Sequence, residues 1–483
     1  MPTKKRFKYK MIITRFAPSP TGSMHIGSLR TALFSWVHAK QNNGIFLLRI
    51  DDTDKDRSSS TNIKHIFEGL NWMGIQSDRD PYYQSHNFDY YNIFINKLLE
   101  ENSAYKCYCS TNRLNQLRFD QVSKGKKPKY DGCCRNKVIT SDLPSTNFVV
   151  RFKNPSSGQV LWNDLVKGQM IFNNDELDDL IIKRSDGSPT YNFCCVLDDI
   201  RMKITHIIRG DDHISNTPRQ INLYRSLNSK PPSFAHLPMI LDKKGKKMSK
   251  RRENLDIIHY RNEGYLPESL VNCLMRLGWS YGNQELFNMQ DILNTFDVKK
   301  VRSSPAIFDS EKLDWISHFH MNSLPFNKLK KKLLQYARDF NINYVYADND
   351  SLTSVMSKRS KNFKDFFSNI ACLYRKPQAF DISFLEIHGS EKVLLILENL
   401  SYLLKSISLE SWQDDKLLKD TIFSLSEQLL VKKSTIGGTL RIALTGSKSS
   451  PDIALVLKTI GKKEVVSRIK AATTKVKHIV LES

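Results

Sequence analysis

Three stretches of this chain carry side chains of types that can bind phosphate or carboxylate groups. The first is Arg15-Phe16-Ala17-Pro18-Ser19-Pro20-Thr21-Gly22-Ser23-Met24-His25-Ile26-Gly27-Ser28. Met11, Ile12 and Ile13 run up to it as a short buried strand would, and two prolines and a glycine then break the strand. Ile26, Leu29, Ala32, Leu33, Trp36 and Val37 follow at helical spacing. A turn from strand into helix leaves backbone N–H groups and the helix dipole ready for phosphate, here with a small imidazole beside them. The second stretch is Arg209-Gly210-Asp211-Asp212-His213, which ends the apolar run Ile204 to Ile208. An arginine at a strand's carboxyl edge can grip a carboxylate with two parallel N–H donors. The third is the basic run 242–252, DKKGKKMSKRR. By charge alone it reads as a surface tract or a localisation-like signal.

Acids, a tyrosine and cysteines add to these. Asp51 closes the apolar run Ile45 to Ile50, and the carboxyl end of such a strand is where open α/β sheets bind ligands. With Asp52 and Asp54 it makes three acids at that edge, which could receive an ammonium group or, through water, Mg²⁺. Tyr191 starts the run YNFCCVLDD; Cys194 and Cys195 within it read as small core residues of an apolar strand. The chain has 8 cysteines, of which Cys107 and Cys109 face Cys133 and Cys134 across a polar, lysine-rich loop. Paired thiolates so spaced can hold tetrahedral Zn²⁺. Reduced, unligated thiols are the alternative for a chain of cytosolic character.

Positioning these groups requires a strand, helix, strand unit over residues 11–50, with the helix stopping near Gly44 in a left-handed C-cap. Residues 60–106 read as mainly helical. Composition shifts at 107–136, and 137–190 alternates like strands, with turns at Asn154-Pro155 and Asp186-Gly187. Thr217-Pro218 reads as the N-cap and first residue of a further helix. From 326 to 483 the chain reads as helical and basic.

The 483 residues suffice for three or four domains of about 100–200 residues each. Hydrophobic content is 40%, which allows a sizeable core. There are 73 basic against 50 acidic residues, a formal net charge of +23. That excess suits a polyanionic partner such as nucleic acid, although a lysine-rich composition also contributes to it. The basic N-terminus lacks the apolar core of a signal peptide, and no apolar run reaches the roughly 18–20 residues of a membrane helix. A cytoplasmic location is expected.

The turn RFAPSPTGSMHIG resembles the first signature of class I aminoacyl-tRNA synthetases, in the wording of the glutamate-specific branch. Lys247-Met248-Ser249-Lys250-Arg251 resembles their KMSK signature. Arg49-Ile50-Asp51-Asp52-Thr53-Asp54 resembles the family's R-[IF]-[ED]-D-T-D, Tyr82-Tyr83-Gln84-Ser85 its YYQS, and Arg209-Gly210-Asp211-Asp212-His213 its RGEDH with Asp in place of Glu. The resemblance covers nearly the whole chain, strongly to about residue 325.

It implies an α/β Rossmann-like parallel catalytic sheet with an inserted α+β acceptor-binding domain and an all-α C-terminal anticodon-binding region. The corresponding bounds are 1–106 and 191–252 for the two catalytic halves, 107–190 for the insertion, 253–325 for a stem-contact domain and 326–483 for the helical region. It implies an enzyme that activates L-glutamate with ATP and transfers it to the terminal adenosine of tRNA(Glu), leaving tRNA(Gln) open. His25, Lys247 and Lys250 would be catalytic. His25, Gly27, Asp212, His213, Lys247, Met248, Ser249, Lys250 and Arg251 would hold ATP with its Mg²⁺, with Gly245 letting the loop close. Arg15, Ala17, Ser19, Asp51, Tyr191, Cys195 and Arg209 would hold glutamate, Arg15 at the side-chain end and Arg209 at the backbone end. For zinc, Cys107, Cys109 and Cys134 match part of the family; Asn136 stands where a histidine is expected, and Cys133 is the substitute donor. A monomer is the family's expectation. The nearest rival, a glutaminyl-tRNA synthetase, reads P-E-P-N-G at the first signature. A relative that glutamylates a modified tRNA base lacks the helical C-terminal region. A silent RNA-binding paralogue would not need His25, Lys247 and Lys250.

Overall fold

Short apolar runs alternating with helices force a parallel sheet, because parallel neighbours need crossover connections. The computed structural model describes residues 11–22, 24–53, 59–137, 148–246, 256–345, 348–377, 382–447 and 450–482. The chain divides into two units: Met1–Arg261 with Pro267–Ile316, and Asn262–Leu266 with Ser317–Ser483.

In the first unit, β1 (Ile13–Phe16), α1 (Ile26–Gln41) and β2 (Ile45–Ile50) form one crossover. Next come α2 (Ser60–Trp72), β3 (Tyr82–Tyr83), α3 (Phe88–Glu100), β4 (Ala104–Cys107) and α4 (Thr111–Ser123). Strands β5 (Val149–Phe152), β6 (Gln159–Asp164), β7 (Gly168–Asn173) and β8 (Ile181–Lys183) follow. The chain continues through α5 (Tyr191–Arg201), β9 (His206–Gly210), α6 (Thr217–Ser226), β10 (Ser233–Leu237) and β11 (Ile240–Leu241). Beyond these lie α7 (Ile257–Asn262), α8 (Pro267–Arg276), α9 (Met289–Thr295), β12 (Ala306–Ile307) and α10 (Ser310–Asn322), which runs on into the second unit.

The main sheet has the order β3-β2-β1-β9-β10-β6-β7. Every pair is parallel except the β6–β7 hairpin. The crossover leaves β1 toward β2, while β9 lies on its other side. The carboxyl ends of β1 and β9 therefore diverge, which is where such sheets open a ligand crevice. The insertion is not one separate layer. Its β5 and β8 form a three-stranded antiparallel sheet with β4, whereas β6 and β7 extend the main sheet.

Three local readings of the sequence need correction. The left-handed residue after α1 is Asn43, with φ 51°, not Gly44. Gly44 is needed for space: a Cβ there would stand 2.2 Å from the Ile12 carbonyl oxygen. Cys194 and Cys195 lie on helix α5, not on a strand. That helix buries Phe193 through Asp199 continuously, and burial on all sides erases the periodicity that separates helix from strand. Thr217 is the first residue of α6 and Asn216 its N-cap, which leaves the Thr217 hydroxyl available for other bonds.

The second unit is helical: α11 (Phe326–Asp339), α12 (Asp350–Ser357), α13 (Phe363–Tyr374), α14 (Ile382–His388), α15 (Ser390–Ser406), α16 (Asp415–Gln428), α17 (Lys433–Thr445), α18 (Ile453–Ile460) and α19 (Lys462–Glu482). Leu397, Leu400, Leu440, Val465 and Ile469 belong to its core. Buried Arg468 on α19 donates to the carbonyls of Cys372, Leu373 and Leu444 at 2.7–3.0 Å. Those carbonyls lie in the last turns of α13 and α17, so one guanidinium caps two helix C-termini.

Candidate functional site

A cleft of about 630 Å³ opens at the carboxyl ends of β1, β9 and β10. That volume suits a small-molecule site. Of the residues expected at the site, Arg15, Ala17, Ser19, His25, Gly27, Tyr191, Arg209, Asp212 and His213 all line it. Two sequence stretches far apart in the chain thus meet at one crevice, as the signatures imply.

His25 occupies the N-cap of α1 in extended conformation, φ −99° and ψ 164°. Its Nδ1 accepts the N–H groups of Gly27 at 3.1 Å and Ser28 at 3.2 Å. A neutral ring therefore carries its proton on Nε2, which lies 3.2 Å from Ser28 Oγ. The sequence suggests that the amides near Gly27 face a phosphate; here the imidazole Nδ1 accepts the N–H groups of Gly27 and Ser28, both of which line the cleft. A Cβ on residue 27 would come within 3.1 Å of that ring, so glycine keeps the cap seated. Asp256 bridges His25 across an antiparallel contact, so the chain returns to the imidazole just after the basic signature. Lys247, Met248, Ser249, Lys250 and Arg251 themselves lie outside the described residues.

Two buried guanidinia, Arg15 and Arg209, each 4–5% exposed, line the cleft. Arg209 is held along one edge: Nε donates to His236 Nε2 at 3.2 Å and Nη2 to Thr217 Oγ1 at 2.7 Å. Its buried Nη1 has no partner among the described residues. Burial lowers the Arg209 pKa, with the Tyr191 hydroxyl working against this. Arg15 donates Nε to Asp199 at 3.1 Å; burial lowers its pKa, and the charge and hydrogen bond of Asp199, with Cys195, together leave it raised. The Tyr191 hydroxyl lies 3.4 Å from His213 Nδ1. Burial, and then the neighbouring Arg209, push the His213 pKa down to about 4, so its ring is neutral near neutral pH.

Asp51 and Cys195, also expected at the site, are not among the residues that line the cleft. Arg49, fully buried, takes the Asp51 carboxylate at 2.6 and 3.3 Å, and Cys195 Sγ stands 3.5 Å from it. The acid is thus paired with a buried cation that it shares with Asp199. Burial raises the Asp51 pKa, partly offset by Arg49. Asp198 is a second hub, accepting from Tyr82, Gln84 and Tyr91 at 2.7–3.0 Å. It ties β3 and α3 to α5.

The floor and rim come from residues that the sequence does not single out. Arg30 donates to the Leu277 carbonyl at 3.0 Å and to the Pro238 carbonyl. Lys167, at the turn of the β6–β7 hairpin, pairs with Asp211 at 3.0 Å. Asp164, His236 and Arg49 are likewise missed. A lone polar residue in an apolar strand is the only sequence trace of His236 and Arg49.

At the start of the insertion, Cys107, Cys109 and Cys134 bring their sulfurs within 4.8 Å of one another. Cys133 is not part of this group, which corrects its expected place in a four-thiolate set. The Tyr130 hydroxyl takes that space, 3.3 Å from Cys107 Sγ and 3.5 Å from Cys109 Sγ. Cys109 and Cys134 sulfurs are 3.6 Å apart. These three thiols can supply three of the four donors of a zinc site; burial pushes the Tyr130 pKa up and keeps its hydroxyl a neutral phenol, so it is not the fourth.

Residues 11–315 match the family described as tRNA synthetases class I (E and Q), catalytic domain, and residues 327–473 match the anticodon binding domain family. Glutamate–tRNA ligase of Francisella philomiragia is 43% identical over 469 residues, covering 96% of this chain and 98% of that protein. The glutamate–tRNA ligase of Buchnera aphidicola is also 43% identical, over 467 residues, covering 96% and 99%. Among solved structures, a glutamate–tRNA ligase from Elizabethkingia meningosepticum in complex with its amino acid superposes with a TM-score of 0.84 at 29% identity, covering 97% of this chain and all of that one. Glutamate–tRNA synthetase from Elizabethkingia anophelis gives 0.81 at 30% identity, covering 96% and 100%.

Proposed function

The chain belongs to the glutamate and glutamine group of class I tRNA synthetases, and on that premise we propose how its cleft makes glutamyl-tRNA from L-glutamate, ATP and tRNA(Glu). The reaction is that of a glutamate–tRNA ligase. In the first step the α-carboxylate of glutamate attacks the α-phosphorus of ATP, and pyrophosphate leaves. In the second, the 2′-hydroxyl of the terminal adenosine of tRNA attacks the activated carbonyl, and AMP leaves. A carboxylate is already ionised, so the first step needs no base; positioning and charge stabilisation are what the protein supplies.

The observation that carries this reading is the meeting of two buried guanidinia, Arg15 and Arg209, beside the His25-capped start of α1. Arg15 takes the side-chain carboxylate and Arg209, through its unpartnered Nη1, the backbone carboxylate, with Tyr191 between. Ala17 and Ser19 shape the wall. Glutamine cannot replace glutamate, because its amide leaves a buried cation unpaired. His25 presents Nε2–H to the triphosphate; Asp212 and His213 flank the nucleotide. Lys247 and Lys250 neutralise the departing pyrophosphate, with Met248, Ser249 and Arg251 completing that loop and Gly245 serving as its hinge. Mg²⁺ arrives with ATP as part of the substrate.

Residues 1–106 and 191–252 form the catalytic halves, 107–190 hold the acceptor end, 253–325 the stem and 326–483 the anticodon region. Cys107, Cys109 and Cys134 would hold a zinc ion whose role is to fix the insertion's fold. The +23 net charge favours the tRNA phosphates. No described helix is long and apolar enough to cross a membrane. The protein acts as a monomer in the cytoplasm.

ATP–pyrophosphate exchange with glutamate, run with and without tRNA, tests the reaction. Exchange only when tRNA is present is expected; none in either tube would overturn the reading. Charging of purified tRNA(Glu) and tRNA(Gln) reads which acceptors are used.

A further inference from the structure

We infer that Asp164, from the inserted β6–β7 hairpin, is a positioning residue for glutamate, acting on Arg209 through His236. This rests on the reading of the cleft as a glutamate site. Asp164 and His236 side chains are fully buried. His236 Nδ1 meets Asp164 Oδ2 at 2.5 Å. The other ring nitrogen, Nε2, faces only donors or a hydroxyl: Arg209 Nε at 3.2 Å and Thr217 Oγ1 at 3.0 Å. Arg209 is a permanent donor, so Nε2 must be the acceptor and the ring must carry its proton on Nδ1. Asp164 enforces that tautomer.

The consequence reaches the cleft. With Nε2 as acceptor, one edge of the Arg209 guanidinium is fixed and Nη1 is left for the ligand. With the proton on Nε2, a donor would face a donor and the guanidinium would swing. Asp164 is itself held: its Oδ1 accepts the N–H groups of Val166 and Lys167, each at 3.0 Å, and that of His236 at 3.1 Å. The same four-residue turn therefore closes the hairpin and aims the arginine, although none of it lines the cleft.

Asp164→Asn keeps the size and offers an N–H donor to Nδ1, which selects the wrong tautomer. The expected result is a rise of at least about tenfold in KM for glutamate, with KM for ATP within about twofold. A second pair isolates the acceptor: His236→Gln can still offer an oxygen to Arg209 and should stay within about threefold, whereas His236→Leu should match Asp164→Asn. An unchanged glutamate KM in Asp164→Asn, a parallel rise in both KM values, or equal losses in the two His236 variants overturns the inference. Selective ¹⁵N labelling of histidine in the full wild-type protein reads the His236 tautomer independently of any variant's folding; an Nε2–H ring also overturns it. Wild-type protein that fails to charge tRNA with glutamate would instead sink the ligase reading.

Discussion

Arg15 and Arg49 bond to one oxygen: Asp199 Oδ1 lies 3.1 Å from Arg15 Nε and 2.7 Å from Arg49 Nη1. One carboxylate on α5 thus fixes a residue of β1, which faces the ligand, and a residue of β2, which does not. Both cations are buried, and the pair of arginines is tolerable only because Asp199 and Asp51 lie between and beside them. Asp199→Asn removes a charge that both share. Unfolding free energy should fall by about 3–5 kcal/mol in urea titrations, and glutamate KM should rise as Arg15 loses its anchor. A variant as stable as wild type would show that the shared oxygen is not what stabilises this layer.

The proposed split of the two carboxylates between Arg15 and Arg209 predicts asymmetric variants. Arg15→Gln should lower kcat/KM for glutamate by at least about 100-fold and erode the preference over glutamine, because its site distinguishes acid from amide. Arg209→Gln should weaken both amino acids alike, since both carry the backbone carboxylate. The reverse pattern in competition assays would exchange the two roles.

Much of this site is legible because it is local. Arg15, His25 and Gly27 fall within one strand-turn-helix, and Arg209 to His213 at one strand end, so chain order alone places them at a sheet's carboxyl edge. The layer behind them is not local. Asp164, Arg209, Thr217 and His236 come from four elements, and no periodicity links a lone histidine in the buried strand β10 to an acid in β6. Helix α5 escapes notice for a related reason: burial from Phe193 to Asp199 removes its polar face. Cys133 and Cys134 show a finer limit. Adjacent residues differ in their neighbours only through the turn that carries them, and Tyr130 sits in a polar stretch that gives no hint of a buried hydroxyl.

The sulfur cluster predicts the metal's ligands by elimination among variants. Purified wild-type protein and Cys133→Ser should each carry about one zinc per chain, and Cys109→Ser nearly none. Tyr130→Phe should retain zinc with an unchanged rate of release to a chelator. Elemental analysis and a chelator time course measure this. Loss of zinc in Cys133→Ser would restore the four-thiolate arrangement, and metal-free wild-type protein would favour reduced thiols.

His38 predicts how stability responds to acid. It is buried on α1 with its ring 5.0 Å from that of His206, and neither of its nitrogens has a hydrogen-bond partner among the described residues. Burial, then the neighbouring His206, lower its pKa to about 4. The unfolded chain binds this proton from about pH 6.5 downward while the folded one refuses it until about 4. Stability contributed by the neutral ring is therefore complete above about pH 6.5 and is lost as pH falls toward 4, by about 3 kcal/mol at most. His38→Leu should shrink the difference between urea midpoints measured at about pH 7.5 and about pH 5. Part of the difference should survive, because burial also depresses His206, His213 and His236. An undiminished difference in His38→Leu would mean that this ring takes up its proton in the folded state as readily as in the unfolded one.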